Sequence, residues 1–243
     1  MTTGTPTTFH DVLSRRLRQD PGRPLVTFYD HETGERVELS VTTWANWVAK
    51  AGSLLVDELG LERGDRIGID LPPHWLGTVF LGAAWSAGLV VVPEPEVGSD
   101  LAAVVCGPDR VEGWAGEAPD TAVLACALLP LGVRFKDPLP AGVNDVGVEI
   151  WSQPDAFTPW DPPTGDDLAI APGTSQAELW REAAAGTLVG GGRLLSVANP
   201  VTEPASFCEP LTQGGSLVLV ARAVQQLLEA AYTAERATAR FPA

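Results

Sequence analysis

Few residues of this 243-residue chain stand in spacings that do chemistry. Gly190-Gly191-Gly192 lacks the G-x-x-x-x-G-K-[ST] frame in which backbone amides and a lysine cradle phosphates, so it reads as a flexible loop. Asp161, Asp166 and Asp167 supply carboxylates but match no EF-hand spacing, and read as a solvated acidic loop. His10, His31 and His74 lie far apart, with no i, i+4 partner and no cysteine neighbour, which suits surface or helix-end positions better than metal ligation. No G-x-S-x-G elbow or H-E-x-x-H pair occurs. Cys106, Cys126 and Cys208 are widely separated and odd in number, the pattern of reduced, buried thiols rather than a disulfide framework. On these residues alone the chain presents no catalytic set and no metal ligands.

Charge narrows the partners. Of the formal net −15, residues 94–182 hold −12, with 4 basic against 16 acidic groups. So acidic a chain gains nothing from counterion release on nucleic acid and is repelled by anionic lipid. Only Lys50 and Lys136 are lysines. No run of about 18 apolar residues is present, and the Thr-rich start from Met1 to His10 has neither a basic nor an apolar leader region, so a cytoplasmic protein is expected. Leu, Ile, Val and Phe make up 64 of the 243 residues, enough for a packed core.

The elements that would position any site follow from periodicity. Thr8 with Asp11 predicts a capped helix over Phe9 to Asp20, and Leu25–Tyr29 with Arg36–Leu39 a hairpin. Trp44, Trp47, Val48, Ala51, Leu54, Leu55 and Leu59 form an apolar helical stripe bounded by Thr42 or Thr43 and Gly60. Strand 66–71, a helix from Trp75 to Ala87 closed by Gly88, and strand 89–92 make a βαβ unit, which requires a parallel sheet covered by helices. Further strands are expected over 101–106, 123–129, 146–151, 168–171, 194–198 and 217–220, with helices over 176–185 and 223–236. The segment 153–167, with four prolines and four aspartates, marks a seam. No internal repeat is visible. Most tryptophans should anchor the core, while Trp151 and Trp160, beside the Pro-rich acidic segment, are candidates for an exposed binding surface.

Gly60-Leu61-Glu62-Arg63-Gly64-Asp65-Arg66-Ile67-Gly68-Ile69, the helix to Ala87, Gly88 to Pro93, Asp166-Asp167-Leu168-Ala169 and Gly214 to Leu219 stand in an order that resembles the front part of the adenylate-forming superfamily, the acyl-CoA synthetases and adenylation domains. Leu194-Leu195-Ser196, Pro200, Pro210-Leu211 and Glu235-Arg236-Ala237-Thr238 continue it. The resemblance implies an α/β fold of parallel-rich sheet layers covered by helices, like the N-terminal domain of those enzymes without the lid domain. It implies one domain over residues 1–243, or two lobes, 1–152 and 168–243, joined by the linker 153–167.

Members of that superfamily hold ATP phosphates on a Ser/Thr/Gly loop ending in lysine. Here the corresponding residues are Gly173, Thr174 and Ser175, which read either as a vestige of that nucleotide loop or as an N-cap turn before a helix at Gln176. The loop's lysine is absent, Glu178 brings negative charge to it, and the downstream aromatic-Gly-x-Thr-Glu motif, ribose-binding aspartate and lid-domain lysine have no counterpart. The resemblance therefore implies a truncated, degenerate relative without catalytic residues or cofactor. Such a protein would act by binding a second copy or a protein partner, because apolar surface that the family's remaining half would cover is left bare. The alternative is residual binding of ATP or AMP with magnesium, or of an acyl group, in partial chemistry completed by a partner subunit.

Overall fold

The computed structural model describes residues 6–242, so Met1 to Thr5 of the Thr-rich start lie outside the described residues. Helix α1 (Phe9–Gln19) begins at the predicted capping box: Thr8 Oγ1 accepts the Asp11 N–H at 3.3 Å and the Asp11 carboxylate accepts the Thr8 N–H at 3.1 Å. Strands β1 (Pro24–Asp30) and β2 (Arg36–Ser40) pair antiparallel as the predicted hairpin. Helix α2 (Val41–Ser53) runs on through a π-helical turn, Leu54–Glu58. Its cap is Ser40, which accepts the Thr43 N–H at 3.1 Å, and not Thr42 or Thr43. The last residue of β2 is thus also the helix cap, and strand passes into helix without a loop.

The βαβ unit forms as expected from β3 (Arg66–Asp70), α3 (Trp75–Ala87) and β4 (Val90–Val92), with β3 and β4 parallel. Gly88 closes α3 at φ 75°, the left-handed conformation glycine adopts without steric cost. Strands β5 (Ala103–Cys106), β6 (Ala122–Ala125) and β7 (Val143–Asp145) extend the sheet, with the short helix α4 (Val111–Trp114) between β5 and β6. The strand expected over 146–151 is instead helix α5 (Val146–Glu149) followed by a 3-10 turn, Ile150–Ser152. Asp145 decides this: its carboxylate accepts the N–H of Gly147 at 2.9 Å and of Phe135 at 2.9 Å, starting a helix where the Val and Ile residues favour a strand.

The rest of the chain alternates β8 (Leu168–Ile170), β9 (Thr174–Ser175), α6 (Gln176–Ala184), β10 (Arg193–Ser196), α7 (Ala205–Thr212), β11 (Ser216–Ala221), α8 (Gln225–Ala234) and β12 (Ala239–Phe241). Two sheets result, one in the order β7-β6-β5-β3-β4-β8-β9 and the other β12-β10-β11-β1-β2. All pairings are parallel except β1 with β2 and β8 with β9. Helix α3 touches β1 of one sheet and β3 and β4 of the other, so it lies between them. That position explains its apolarity all round, since a helix with no solvent face has no place for charge. Its own Trp85 joins Phe9, Trp44, Trp180 and Phe207 in an aromatic cluster with neighbouring ring centroids 5.3–6.1 Å apart. Trp44 Nε1–H donates to Thr78 Oγ1 and Trp85 Nε1–H to the Ala169 carbonyl, so these two buried indoles keep their hydrogen bonds, whereas the buried Trp75 Nε1–H has no partner among the described residues. Among the described residues no helix is long and apolar enough to cross a membrane.

Candidate functional site

The residues that would hold nucleotide form a tight β8–β9 connection. Thr174 pairs with Ile170 and Ser175 with Leu168, leaving Ala171, Pro172 and an exposed Gly173 to make the turn. Ser175 then caps α6 through a reciprocal box: Ser175 Oγ accepts the Glu178 N–H at 3.3 Å, and the Glu178 carboxylate accepts the Ser175 N–H at 3.0 Å. The Gln176 N–H goes to the Asp167 carbonyl at 2.8 Å and the Ala177 N–H to that of Gly165 at 2.9 Å. An anion site at a helix N-terminus needs free amides. Here the N–H groups of residues 175–178 all have protein acceptors, and hydrogen bonds from Ser175 hold the Glu178 carboxyl below its ordinary range, so it is charged at neutral pH. A triphosphate with magnesium does not fit this arrangement.

The other sequence candidates scatter. Arg63 joins Asp161 at 3.0 Å and Asp167 at 2.9 Å, so a guanidinium occupies the centre of the acidic loop. Burial works against the charged Asp167, but hydrogen bonds from Thr164 and Arg63 hold its carboxyl below the ordinary range. Among the described residues no three His, Cys, Asp or Glu side chains gather as metal ligands. The three cysteines are free and buried, and burial raises each thiol, that of Cys106 to about 12. Trp44, Trp75, Trp85, Trp114 and Trp180 are core residues, while Trp151 is 54% and Trp160 92% exposed.

Of the histidines, His10 is exposed and His31 half-buried, but His74 is a buried N-cap of α3. Its Nδ1 accepts the Leu76 N–H at 3.2 Å, so the ring proton belongs on Nε2, which has no acceptor among the described residues. Burial pushes its pKa down to about 3, leaving the ring neutral.

His74 lines a cavity of about 570 Å³ where the carboxyl ends of strands from the two sheets meet: β1 at Asp30, β3 at Asp70, β11 at Ala221, and the segments following β5 and β6. In open α/β sheets that is where ligands bind. The sequence reading passed over this group. The available signal was position: His74 follows Pro72-Pro73 immediately after a βαβ strand, at the carboxyl end of a parallel sheet.

The arrangement of two mostly parallel sheets with a buried helix between them matches the fold of the N-terminal domain of acyl-CoA synthetases. The chain superposes on the Brucella canis acyl-CoA synthetase with a TM-score of 0.79 at 17% identity, covering 98% of this chain and 47% of that one. A benzoate CoA ligase from Burkholderia xenovorans LB400 gives 0.72 at 19%, covering 96% and 49%. The N-terminal domain of FACL13 from Mycobacterium tuberculosis gives 0.71 at 15%, covering 96% and 62%. The chain thus spans about half the length of the synthetases whose fold it shares. A Mycobacterium tuberculosis (strain H37Rv) protein described as a TIGR03089 family protein is 36% identical over 251 residues, covering 96% of this chain and 98% of that protein. The chain belongs to the TIGR03089 family. No family model matches it.

Proposed function

We propose that this protein is a non-adenylating relative of acyl-CoA synthetases that keeps the N-terminal scaffold and acts by binding a second copy of itself or a protein partner. One observation carries the reading: the N–H groups of residues 175–178, at the helix start that follows Gly173 and Thr174, are all engaged within the protein, with the Glu178 carboxylate beside them. The lack of any lysine after Lys136 supports it, since no ammonium is available in that half of the chain to neutralise a triphosphate. The exposed indoles of Trp151 and Trp160 supply anchors of the kind enriched in protein interfaces. We place the protein in the cytoplasm.

The test is a melting experiment with ATP and magnesium at millimolar concentration, run beside pyrophosphate exchange with a panel of carboxylic acids. No melting shift and no exchange are expected. A saturable shift with ATP, or exchange above background, overturns the reading in favour of residual nucleotide chemistry. Sedimentation over a range of concentrations then reports self-association.

A further inference from the structure

We propose that the surface hollow beside Trp160 takes an arginine side chain of a basic protein partner, its guanidinium lying on the indole and pairing with Glu62. The assignment rests on the partner-binding reading and gives that partner its chemistry. The hollow, of about 410 Å³, lies at the amino ends of β3 and β4, lined by residues that precede them, whereas the cavity at His74 lies at the carboxyl ends. Val56, Leu61, Ala87 and Pro159 give it apolar walls, against which the methylene stem of an arginine can pack.

Trp160 is displayed by an anchored segment. Ahead of it, Lys50 meets Asp155 at 3.1 Å, and the Phe157 ring lies so close on Gly52 that a Cβ there would stand 2.7 Å from it. Behind it, Arg63 holds Asp161 at 3.0 Å and Asp167 at 2.9 Å. Pro159, Pro162 and Pro163 restrict the backbone on both sides. The indole nevertheless stays 92% exposed, with no ring or cation stacked on it among the described residues. An aromatic side chain held in place before a partner arrives loses little freedom on binding, which favours its use as an anchor.

The charges select the occupant. Glu62 lines the hollow and is exposed, and its carboxylate has no cationic partner among the described residues. Arg63, the one cation in the lining, is shared between Asp161 and Asp167, while Asp57 and Glu58 stand exposed on the π-helical turn that supplies Val56. What remains open is an aromatic face and a carboxylate. A planar guanidinium satisfies both, stacking on the indole and offering parallel N–H groups to the carboxylate, which a lysine ammonium does less well. A second copy is the poorer occupant, because it brings a formal −15 to a face within the segment that already holds −12.

The probe is the peptide acetyl-Gly-Ser-Arg-Ser-Gly-amide, titrated into the whole 15N-labelled protein at physiological salt. Beside it run the same peptide with citrulline, the uncharged isostere, and with lysine in place of arginine. The Trp160 indole and the backbone N–H groups of residues 61–63 and 160–161 report binding. A saturable shift is expected with the arginine peptide, tighter than citrulline by about threefold or more, with lysine between them. Trp160→Leu and Glu62→Gln, both at exposed positions, should each weaken the arginine peptide about two- to fivefold. Glu182→Gln, which removes an exposed carboxylate on α6 outside the hollow, should leave its affinity unchanged. Citrulline matching arginine, Glu182→Gln weakening binding as much as Glu62→Gln, or no saturable shift by about 30 mM overturns the proposal. So does tetramethylammonium matching the arginine peptide, which would mark a site for a free small cation, or self-association abolished by Trp160→Leu, which would make a second copy the occupant. A protein inert to ATP that also ignores the arginine peptide loses this assignment and keeps the non-adenylating reading. One that shifts with ATP and still binds the peptide loses that reading and keeps the hollow. The wild-type comparison of arginine with citrulline decides even where a variant does not fold.

Discussion

Gln176 offers the sharpest test of whether the segment after β8 serves the core. Its side chain is fully buried and joins three helices: Oε1 accepts the Phe9 N–H at 2.9 Å and Trp180 Nε1–H at 3.3 Å, and Nε2 donates to the Trp85 carbonyl at 2.8 Å. Gln176→Leu retains most of the volume and strands all three partners away from water. A buried polar group left unpaired costs about 1–3 kcal/mol, and the 3.3 Å contact belongs at the low end, so the variant should lose about 3–6 kcal/mol. For a chain of this size that corresponds to a fall in Tm of roughly 6–24 °C. Urea unfolding followed by circular dichroism measures it, with the wild-type slope retained if only the folded state is weakened. A loss below about 1 kcal/mol would refute the claim that α1, α3 and α6 are locked together through this residue. It would also reopen the possibility that the segment moves to meet a ligand.

Ser175→Ala should cost about 1 kcal/mol in the same assay by removing the cap of α6, and an unchanged urea midpoint would mean the capping box contributes nothing. His74 has a folded pKa of about 3 against an ordinary 6.5, so its contribution is fully present above pH 6.5 and is lost as pH falls toward 3. Wild-type stability minus that of His74→Ser should therefore decline by about 1.4 kcal/mol per pH unit through this window, and a flat difference would contradict the buried neutral ring. Trp160→Ala should leave stability within about 0.5 kcal/mol, because the indole is almost wholly exposed, while weakening self-association or partner capture together with Trp151→Ala. Interaction unaffected by both substitutions would remove these indoles from the interface.

The parts of the fold that were legible in the sequence are those set by local rules. The Thr8 capping box, the helix from Trp75 to Gly88 and the parallel pairing it imposes on β3 and β4 follow from residues close in sequence. Helix α7 was not foreseen. It carries Pro210 inside, and its apolar face is defined by burial of Phe207, Cys208 and Leu211 in the shared core rather than by flanking signals. Segment 146–151 misleads for a related reason: its Val and Ile content favours a strand, but Asp145 accepts from both Gly147 and a residue ten positions earlier, a contact no local pattern displays.

The same division applies to the sites. The missing lysine and the short loop after β8 are visible in sequence, but not that every amide of residues 175–178 is engaged, because Asp167 and Gly165 supply carbonyls only once the 153–167 segment has folded back over the helix end. His74 is the converse case. Alone in sequence it resembles any isolated histidine, and what sets it apart is its surroundings: a helix start that fixes its tautomer and burial that leaves its Nε2–H without an acceptor among the described residues. The crevice where the parallel strands end is formed by the sheets themselves, whatever residues occupy the turn after β8.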